Sequence, residues 1–201
     1  MWNIWILWSY FDPIHKWHIK IAEQALEKLN LDKVLFVPVI NGIRKNAKAS
    51  IEDRTNMLLM SIFDNDKFEL SNIEHILINR WKINFSSFDV LCEIKKQYKD
   101  DNLFYIIWAD KLLNLYKWKK FSKFNKLVSV ILTAREWYNI DYDLVNYIKN
   151  KYRIKIYIIN DNALLCSSSF IRDKIAKKEF SWLDSLLKKS VLDYIKKRWI
   201  Y

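Results

Sequence analysis

The chain has a single glycine, Gly42, among 201 residues, and it has ten tryptophans. At an average usage of roughly 7%, a chain of this length would contain about 14 glycines. Glycine supplies backbone with positive φ and lets two segments approach closely, and an α/β fold with tight loops needs both. One glycine and ten tryptophans together come close to an ordinary glycine count. The composition therefore indicates that most of these tryptophans occupy glycine positions.

The rest of the composition is that of a globular protein. Apolar residues make up 51% and charged residues 28% of the chain, and no apolar run reaches the ~18 residues of a membrane span. The length favours one domain over residues 1–201. Cys92 and Cys166 fit no metal-binding or disulfide pattern, which is typical of a reducing cytosol. We therefore expect a cytoplasmic protein that does not bind a membrane.

The formal net charge is +11. Codon usage in an AT-rich genome explains much of the lysine content, and a positive field would also attract polyphosphate. The lysines are spread along the chain rather than gathered in one basic arm. We therefore expect no nucleic-acid partner, although a basic nucleic-acid-binding protein stays an alternative.

Apolar runs typical of strands alternate with helical patterns along the whole chain. Strands are predicted at residues 4–7, 31–39, 68–76, 102–110, 127–135 and 154–160. Helices are predicted at residues 18–29, 50–60, 88–98 and 141–151, and from residue 168 onward. This order favours right-handed βαβ units around a mostly parallel sheet, in which ligands bind beyond the carboxyl ends of the strands.

The first such strand end carries WSYFDPIHKWH, residues 8–18. A His-x-x-His pair at the start of a helix puts His15 and His18 on one face, close to free backbone N–H groups that favour an anion. Two surface histidines or a metal pair are the alternatives. A metal site would need a third ligand, and His75 is the only other histidine. The spacing alone leaves phosphate binding and these alternatives open.

Two further strand ends carry polar residues. IIWAD, residues 106–110, ends in Asp110, which by itself fits an ordinary helix cap. CSSSFIR, residues 166–172, places hydroxyls at a helix start with Arg172 one turn inside. Such an arrangement suits a triphosphate, although an ordinary serine cap with a solvated arginine would look the same.

Phe11-Asp12-Pro13-Ile14-His15-Lys16-x-His18 after a strand resembles the signature of the nucleotidyltransferases with a His-x-Gly-His motif. The IIWAD and CSSSFIR runs, in this order, resemble the nicotinate-nucleotide branch of that superfamily. The resemblance implies a Rossmann-like α/β domain with a helical C-terminus that joins ATP to nicotinate mononucleotide in NAD biosynthesis. A related enzyme acting on nicotinamide mononucleotide or phosphopantetheine, or a non-catalytic relative, stays an alternative.

The resemblance also implies roles for individual residues. His15 and His18 would be catalytic, and Mg²⁺ would arrive with ATP rather than in a protein metal site. Residues expected to bind ATP or its phosphates are Ser9, Tyr10, Phe11, Lys45, Trp108, Asp110, Ser168, Ser169 and Arg172. On the nicotinate side we expect Trp118 with Ser86 or Ser87, because the alignment there is uncertain by one residue.

Several tryptophans stand where the family pattern has glycine. They are Trp5, Trp8, Trp17, Trp108 and Trp137, with Trp81 and Trp199 as further candidates. Trp118 instead coincides with a family tryptophan, whereas Trp2 and Trp182 are undecided. We hypothesise that the gene encodes glycine with UGA and that the sequence shown was translated with UGA as tryptophan.

Overall fold

The structure is a computed structural model that describes residues 1–40, 47–81, 85–134, 139–160 and 166–201. Its strands form one parallel sheet in the order β3-β2-β1-β4-β5-β6. The strands are β1 (Asn3–Ser9), β2 (Lys33–Pro38), β3 (Phe68–Leu70), β4 (Asn102–Trp108), β5 (Ser129–Ala134) and β6 (Ile156–Asn160). The strand order reverses between β1 and β4, and doubly wound sheets bind their ligands at such a point.

Helices cover both faces of this sheet. They are α1 (Lys16–Lys28), α2 (Ile51–Ile62), α3 (Ile73–Trp81), α4 (Ser87–Gln97), α5 (Leu112–Leu115), α6 (Tyr142–Tyr152), α7 (Ser168–Ala176) and α8 (Lys189–Arg198). The predicted Rossmann-like α/β fold with a parallel sheet, flanking helices and a helical C-terminus is confirmed. No helix in the described ranges is long and apolar enough to cross a membrane.

The side chains of β1 show why both faces need helices. Trp5 and Leu7 belong to an apolar cluster with residues of α1, α2, α7 and α8. Ile4 and Ile6 point the other way, into a second cluster with residues of α3, α4, α5 and α6. Successive strand side chains alternate between faces, so a strand buried on both faces is apolar throughout. We call these clusters the first and the second core.

The predicted strand at residues 68–76 is wrong in its second half. Strand β3 ends at Leu70 and pairs with β2 over three residues only, and α3 begins at Ile73. Ile73 and Leu77 are both buried in the second core, and their spacing of four residues is helical. The alternating pattern that predicted a strand therefore combined a short edge strand with the first turn of a helix.

Several residues other than glycine adopt the positive φ that glycine usually supplies. The described residues with positive φ are Phe11, Asn30, Lys120, Arg153, Lys178, Trp199 and Tyr201. Trp199 follows the last turn of α8 with φ 54°, in the left-handed conformation that glycine usually adopts at a helix end. Its side chain is 87% exposed, so little buried surface offsets the backbone cost. Gly42 lies outside the described residues.

Candidate active site

The two histidines lie side by side at the start of α1, beyond the carboxyl end of β1. His15 is the N-cap residue of α1, and the backbone N–H of His15 donates to Nδ1 of His18 at 3.3 Å. The imidazole centroids are 3.8 Å apart, and both side chains are nearly fully buried. Nδ1 of His18 is thus the acceptor nitrogen, and the first-turn N–H groups of α1 add positive potential beside the pair.

The loop between β1 and α1 is fixed by the carboxylate of Asp12, which is buried. Its oxygens accept from the backbone N–H of Lys48 at 2.8 Å and of Ala49 at 3.0 Å. The Tyr201 hydroxyl donates to the same carboxylate at 2.9 Å. Burial, together with the negative charge of Asp12, raises the pKa of Tyr201, so this hydroxyl keeps its proton. The carboxylate therefore holds three separate segments of the chain together beneath the histidines.

Arg54 supports the same loop from below and is 1% exposed. Its Nη1 donates to the carbonyl oxygens of Tyr10 at 2.7 Å and Val39 at 2.6 Å. Burial lowers the pKa of Arg54, and the carboxylate of Asp12 offsets part of that shift. The sequence analysis did not assign Arg54 a role. A signal existed, because Arg54 shares the buried face of α2 with Met57, Leu58 and Ser61.

Helix α7 forms the opposite wall. Ser168 Oγ donates to the carbonyl oxygen of Pro13 at 2.9 Å, and Nη1 of Arg172 donates to the carbonyl oxygen of Asp12. Arg172 also lies 3.5 Å from the Asp12 carboxylate. The N-cap is Ser167, whose hydroxyl accepts from the backbone N–H of Phe170 at 3.2 Å and lies 3.0 Å from the Ser169 hydroxyl. The sequence analysis had not assigned Ser167.

Between these walls lies a cleft of about 430 Å³. That volume is within the usual range of small-molecule sites. Of the predicted residues, those that line it are Ser9, Tyr10, Phe11, His15, His18, Trp108, Asp110, Ser168, Ser169 and Arg172. The structure thus brings together predicted residues from three separate segments of the sequence. Lys45 and Trp137 lie outside the described residues.

Trp17 and Trp108, two of the tryptophans at family glycine positions, line this cleft. The Trp108 indole stacks on the Trp17 indole, with centroids 4.6 Å apart and an angle of 26° between the planes. Asp110 follows in a short 3₁₀ turn, where its exposed carboxylate pairs with Lys111 at 2.8 Å. The predicted strand at 102–110 therefore ends earlier, at Trp108.

The predicted nicotinate residues lie elsewhere, with Trp118 against the second core and Ser86 and Ser87 at the start of α4. Trp118 packs against Tyr105 and Phe124, with centroids 6.3 and 6.4 Å away. Ser86 caps α4, and its backbone and hydroxyl both donate to the Asp89 carboxylate. Burial would raise the pKa of Asp89, but these hydrogen bonds lower it below the ordinary value. The described lining of the histidine cleft includes neither Ser86 nor Trp118.

Aromatic side chains connect the two regions. The second predicted serine, Ser87, begins α4, and Phe88 after it lies 6.1 Å from Phe124. Tyr105 lies 6.3 Å from both Trp8 and Trp118, so Trp8 joins the end of β1 to this cluster. The predicted nicotinate side is therefore contiguous with the first loop through Trp8.

A buried carboxylate, Glu74 of α3, holds the end of β1 on this side. Its Oε1 accepts from the Trp8 indole N–H, and its Oε2 accepts from the backbone N–H of Ile40 at 2.6 Å. Burial raises the pKa of Tyr10, and the charge of Glu74 adds to that rise. The sequence analysis missed Glu74 because residues 73–76 were predicted as strand.

In the described part of the chain, no group of three or more His, Cys, Asp or Glu side chains is placed to hold a metal ion. Asp12 already accepts three hydrogen bonds, which leaves Asp110 as the exposed carboxylate of the cleft.

A family model described as cytidylyltransferase-like matches residues 6–174. The chain belongs to the cytidylyltransferase-like family. A protein of Clostridium acetobutylicum named "Probable nicotinate-nucleotide adenylyltransferase" is 32% identical over 195 residues, which cover 95% of this chain and 94% of the relative. A Dictyoglomus thermophilum protein of the same name is 33% identical over 200 residues, covering 99% of both chains. The predicted nucleotidyltransferase is thus confirmed.

A solved structure has the same fold. It is the Plasmodium falciparum nicotinic acid mononucleotide adenylyltransferase complexed with NaAD, and its TM-score to this chain is 0.80. The match covers 98% of this chain and 96% of the other at 20% identity. At this identity the likeness supports the fold alone.

Proposed function

We propose that the chain transfers AMP from ATP to nicotinate mononucleotide, forming nicotinate adenine dinucleotide and pyrophosphate in NAD biosynthesis. The observation that carries the proposal is the meeting of the His15–His18 pair with the N-terminus of α7 in one cleft. Two helix N-termini and an arginine converge there, which suits a polyphosphate. The names of the full-length relatives supply the acceptor.

The reaction needs no protein nucleophile. A phosphate oxygen of the mononucleotide attacks the α-phosphorus of ATP in line, the bond from that phosphorus to the β-phosphate oxygen breaks, and pyrophosphate leaves. Catalysis then consists of positioning and charge stabilisation. We assign His15 and His18 to the reacting phosphates, where buried donors stabilise charge best. Ser168, Ser169 and Arg172 would hold the triphosphate, with Lys45.

Mg²⁺ would enter with ATP. This cation prefers few protein carboxylates and keeps most of its contacts with phosphate oxygens and water. The cleft fits that mode, because Asp12 is occupied by the loop and Asp110 is free to turn from Lys111 toward a metal-bound phosphate. Bound there, the ion would neutralise charge on the triphosphate.

On the acceptor side we assign the nicotinate ring to Trp118 and its carboxylate to Ser86 or Ser87. Support comes from the continuity of these residues with Trp8 through Tyr105. We also propose that residues 1–201 act as one domain, since both cores pack on the same sheet. The proposed location is the cytoplasm, because the two cysteines fit no disulfide pattern.

We further propose that the natural protein has glycine at positions 5, 8, 17 and 108. Two observations support this. Trp17 and Trp108 stack on each other inside the cleft. Trp5 is fully buried, and its Nε1 has no hydrogen-bond partner among the described residues, although a buried indole N–H usually has one. Position 8 rests on the family pattern alone, because the Trp8 indole N–H donates to Glu74. Trp199, a further candidate for glycine, occupies a left-handed helix end.

The test of activity compares two forms of the full chain. The tryptophan form has the sequence shown, and the glycine form carries Trp17→Gly and Trp108→Gly. We expect the glycine form to make the dinucleotide from ATP and nicotinate mononucleotide faster than the tryptophan form does. Equal turnover by both forms would contradict the glycine proposal. A preference for nicotinamide mononucleotide would overturn the assigned acceptor.

Histidine variants then test the site. In the more active form, we expect His15→Ala and His18→Ala each to lower kcat by about 10²–10³-fold, the usual effect of removing a buried charge-stabilising donor. His75→Ala is the matched control, since His75 lies exposed on α3. Histidine variants with the turnover of His75→Ala would refute the assigned roles.

The codons of the ten tryptophans provide an independent test. We expect UGA at positions 5, 8, 17 and 108 and UGG at position 118. If all ten codons are UGG, the indoles are native and the glycine proposal is wrong.

A further inference from the structure

Thr133 is a buried polar residue in the cleft to which no role has been given so far. It lies near the end of β5, in register with Trp108 of β4, and lines the same cleft as the histidines. Its side chain is fully buried. Its Oγ1 has no hydrogen-bond partner among the residues that the structure describes. A buried hydroxyl is normally paired, so this one needs an explanation.

The alternation along β5 shows which face Thr133 occupies. Val130 and Leu132 belong to the second core, and Ile131 belongs to the first. Thr133 therefore faces the first core, on the side where Trp108 packs. Trp108 in turn stacks on Trp17 of α1. The hydroxyl thus sits at the aromatic end of the cleft.

The groups suited to phosphate lie elsewhere in the cleft. His15, Ser168 and Arg172 gather at the N-termini of α1 and α7. Flat apolar surfaces surround the end near Thr133, and such surfaces suit a base. A threonine hydroxyl can accept from an exocyclic amine or donate to a ring nitrogen. Valine has the same shape, so a structural need alone does not call for the hydroxyl.

We propose that the Thr133 hydroxyl hydrogen-bonds the purine base of ATP and helps to select that base. The proposal rests on the proposed adenylyl transfer and adds a residue of base recognition to it. Bound base supplies the partner that Oγ1 lacks among the described residues. Access to the hydroxyl requires the Trp17–Trp108 pair to open or, in the glycine form, to be absent.

The experiment measures dinucleotide formation by Thr133→Val, Thr133→Ser and the control Thr55→Val, in both the tryptophan and the glycine form. Thr55 lies in α2 and does not line the described cleft. We expect Thr133→Val to raise KM for ATP by about 3- to 10-fold, the value of one hydrogen bond, with kcat and KM for nicotinate mononucleotide within about twofold. Thr133→Ser retains the hydroxyl and should stay near the parent. The melting temperature of free Thr133→Val should not fall, because the variant loses a hydroxyl that has no partner among the described residues.

Base analogues then identify the contact. The same KM comparison is made with a triphosphate that lacks the 6-amino group and with 7-deaza-ATP. If the hydroxyl bonds the atom that an analogue lacks, parent and Thr133→Val should have the same KM for that analogue. An unchanged KM for ATP in Thr133→Val or an equal rise in Thr55→Val would overturn the proposal. If a parent makes dinucleotide while Thr133→Val matches it, only this inference fails. If neither parent makes dinucleotide, the proposed function fails and takes this inference with it.

Discussion

Replacing Arg54 by methionine removes the cation beneath the first loop while keeping most of the side-chain volume. Its guanidinium donates to the buried carbonyl oxygens of Tyr10 and Val39 at 2.7 and 2.6 Å. A hydrogen bond from a charged donor is worth about 1.5–3 kcal/mol, and an orphaned buried acceptor costs about 1–3 kcal/mol. We therefore expect Arg54→Met to lower the free energy of unfolding by about 3–5 kcal/mol, a large share of the usual ~5–15 kcal/mol.

Urea unfolding at neutral pH measures this loss, with the midpoint and the m-value fitted separately. Arg80→Met is the control, because Arg80 is an exposed arginine whose buried partner, Glu93, keeps a second cation, Lys96, at 2.9 Å. That control should lose less stability than Arg54→Met, since Glu93 stays paired. The loss of stability in Arg54→Lys should lie between those of the other two variants, since an ammonium cannot reproduce the planar geometry of the guanidinium. A loss below about 1 kcal/mol in Arg54→Met would refute the argument that these two bonds hold the loop.

Three other predictions follow from the described contacts. Tyr201→Phe should lose about 1.5–3 kcal/mol in urea unfolding, because its hydroxyl donates to the buried Asp12 carboxylate; no change would contradict that role. Burial and the Glu69 carboxylate raise the pKa of Tyr98 from 10.0 to about 12, so its stabilising effect should be complete below pH 10 and lost as pH rises through about 12. Melting curves of Tyr98→Phe should lack this alkaline loss. Trp5→Gly should keep or raise the melting temperature. A fall of about 3–5 kcal/mol in the free energy of unfolding, which is usual when a large side chain is removed from a native core, would show that the indole is native.

The parallel sheet and the location of the cleft could be predicted because they depend on patterns that the sequence displays directly. Apolar runs separated by helical patterns imply a parallel sheet, and polar residues at the strand ends imply a site there. Residues from the segments 8–18, 106–110 and 166–172 line one cleft, as their positions after strand ends predicted.

The supports of that cleft were hidden for a physical reason. Arg54 and Glu74 are charged, so a hydropathy pattern assigns them to solvent, yet each is buried where backbone groups need partners. Only the fold shows which loop ends meet them. The error at residues 68–76 has a similar origin, since a three-residue edge strand is too short for alternation to define.

The environments of the tryptophans differ in ways that bear on the glycine proposal. A native tryptophan repays its size through buried area, usually with a partner for its N–H. Trp118 fits that description in part, because it packs against Tyr105 and Phe124 in the second core. Trp199 does not, since it buries little surface and occupies left-handed backbone that costs any residue with a Cβ about 1–2 kcal/mol. Trp5 fails differently, because its buried N–H has no partner in the described chain. Glycine would relieve the backbone cost at position 199 and the unpaired donor at position 5, whereas at position 118 it would remove an aromatic contact between strand and loop.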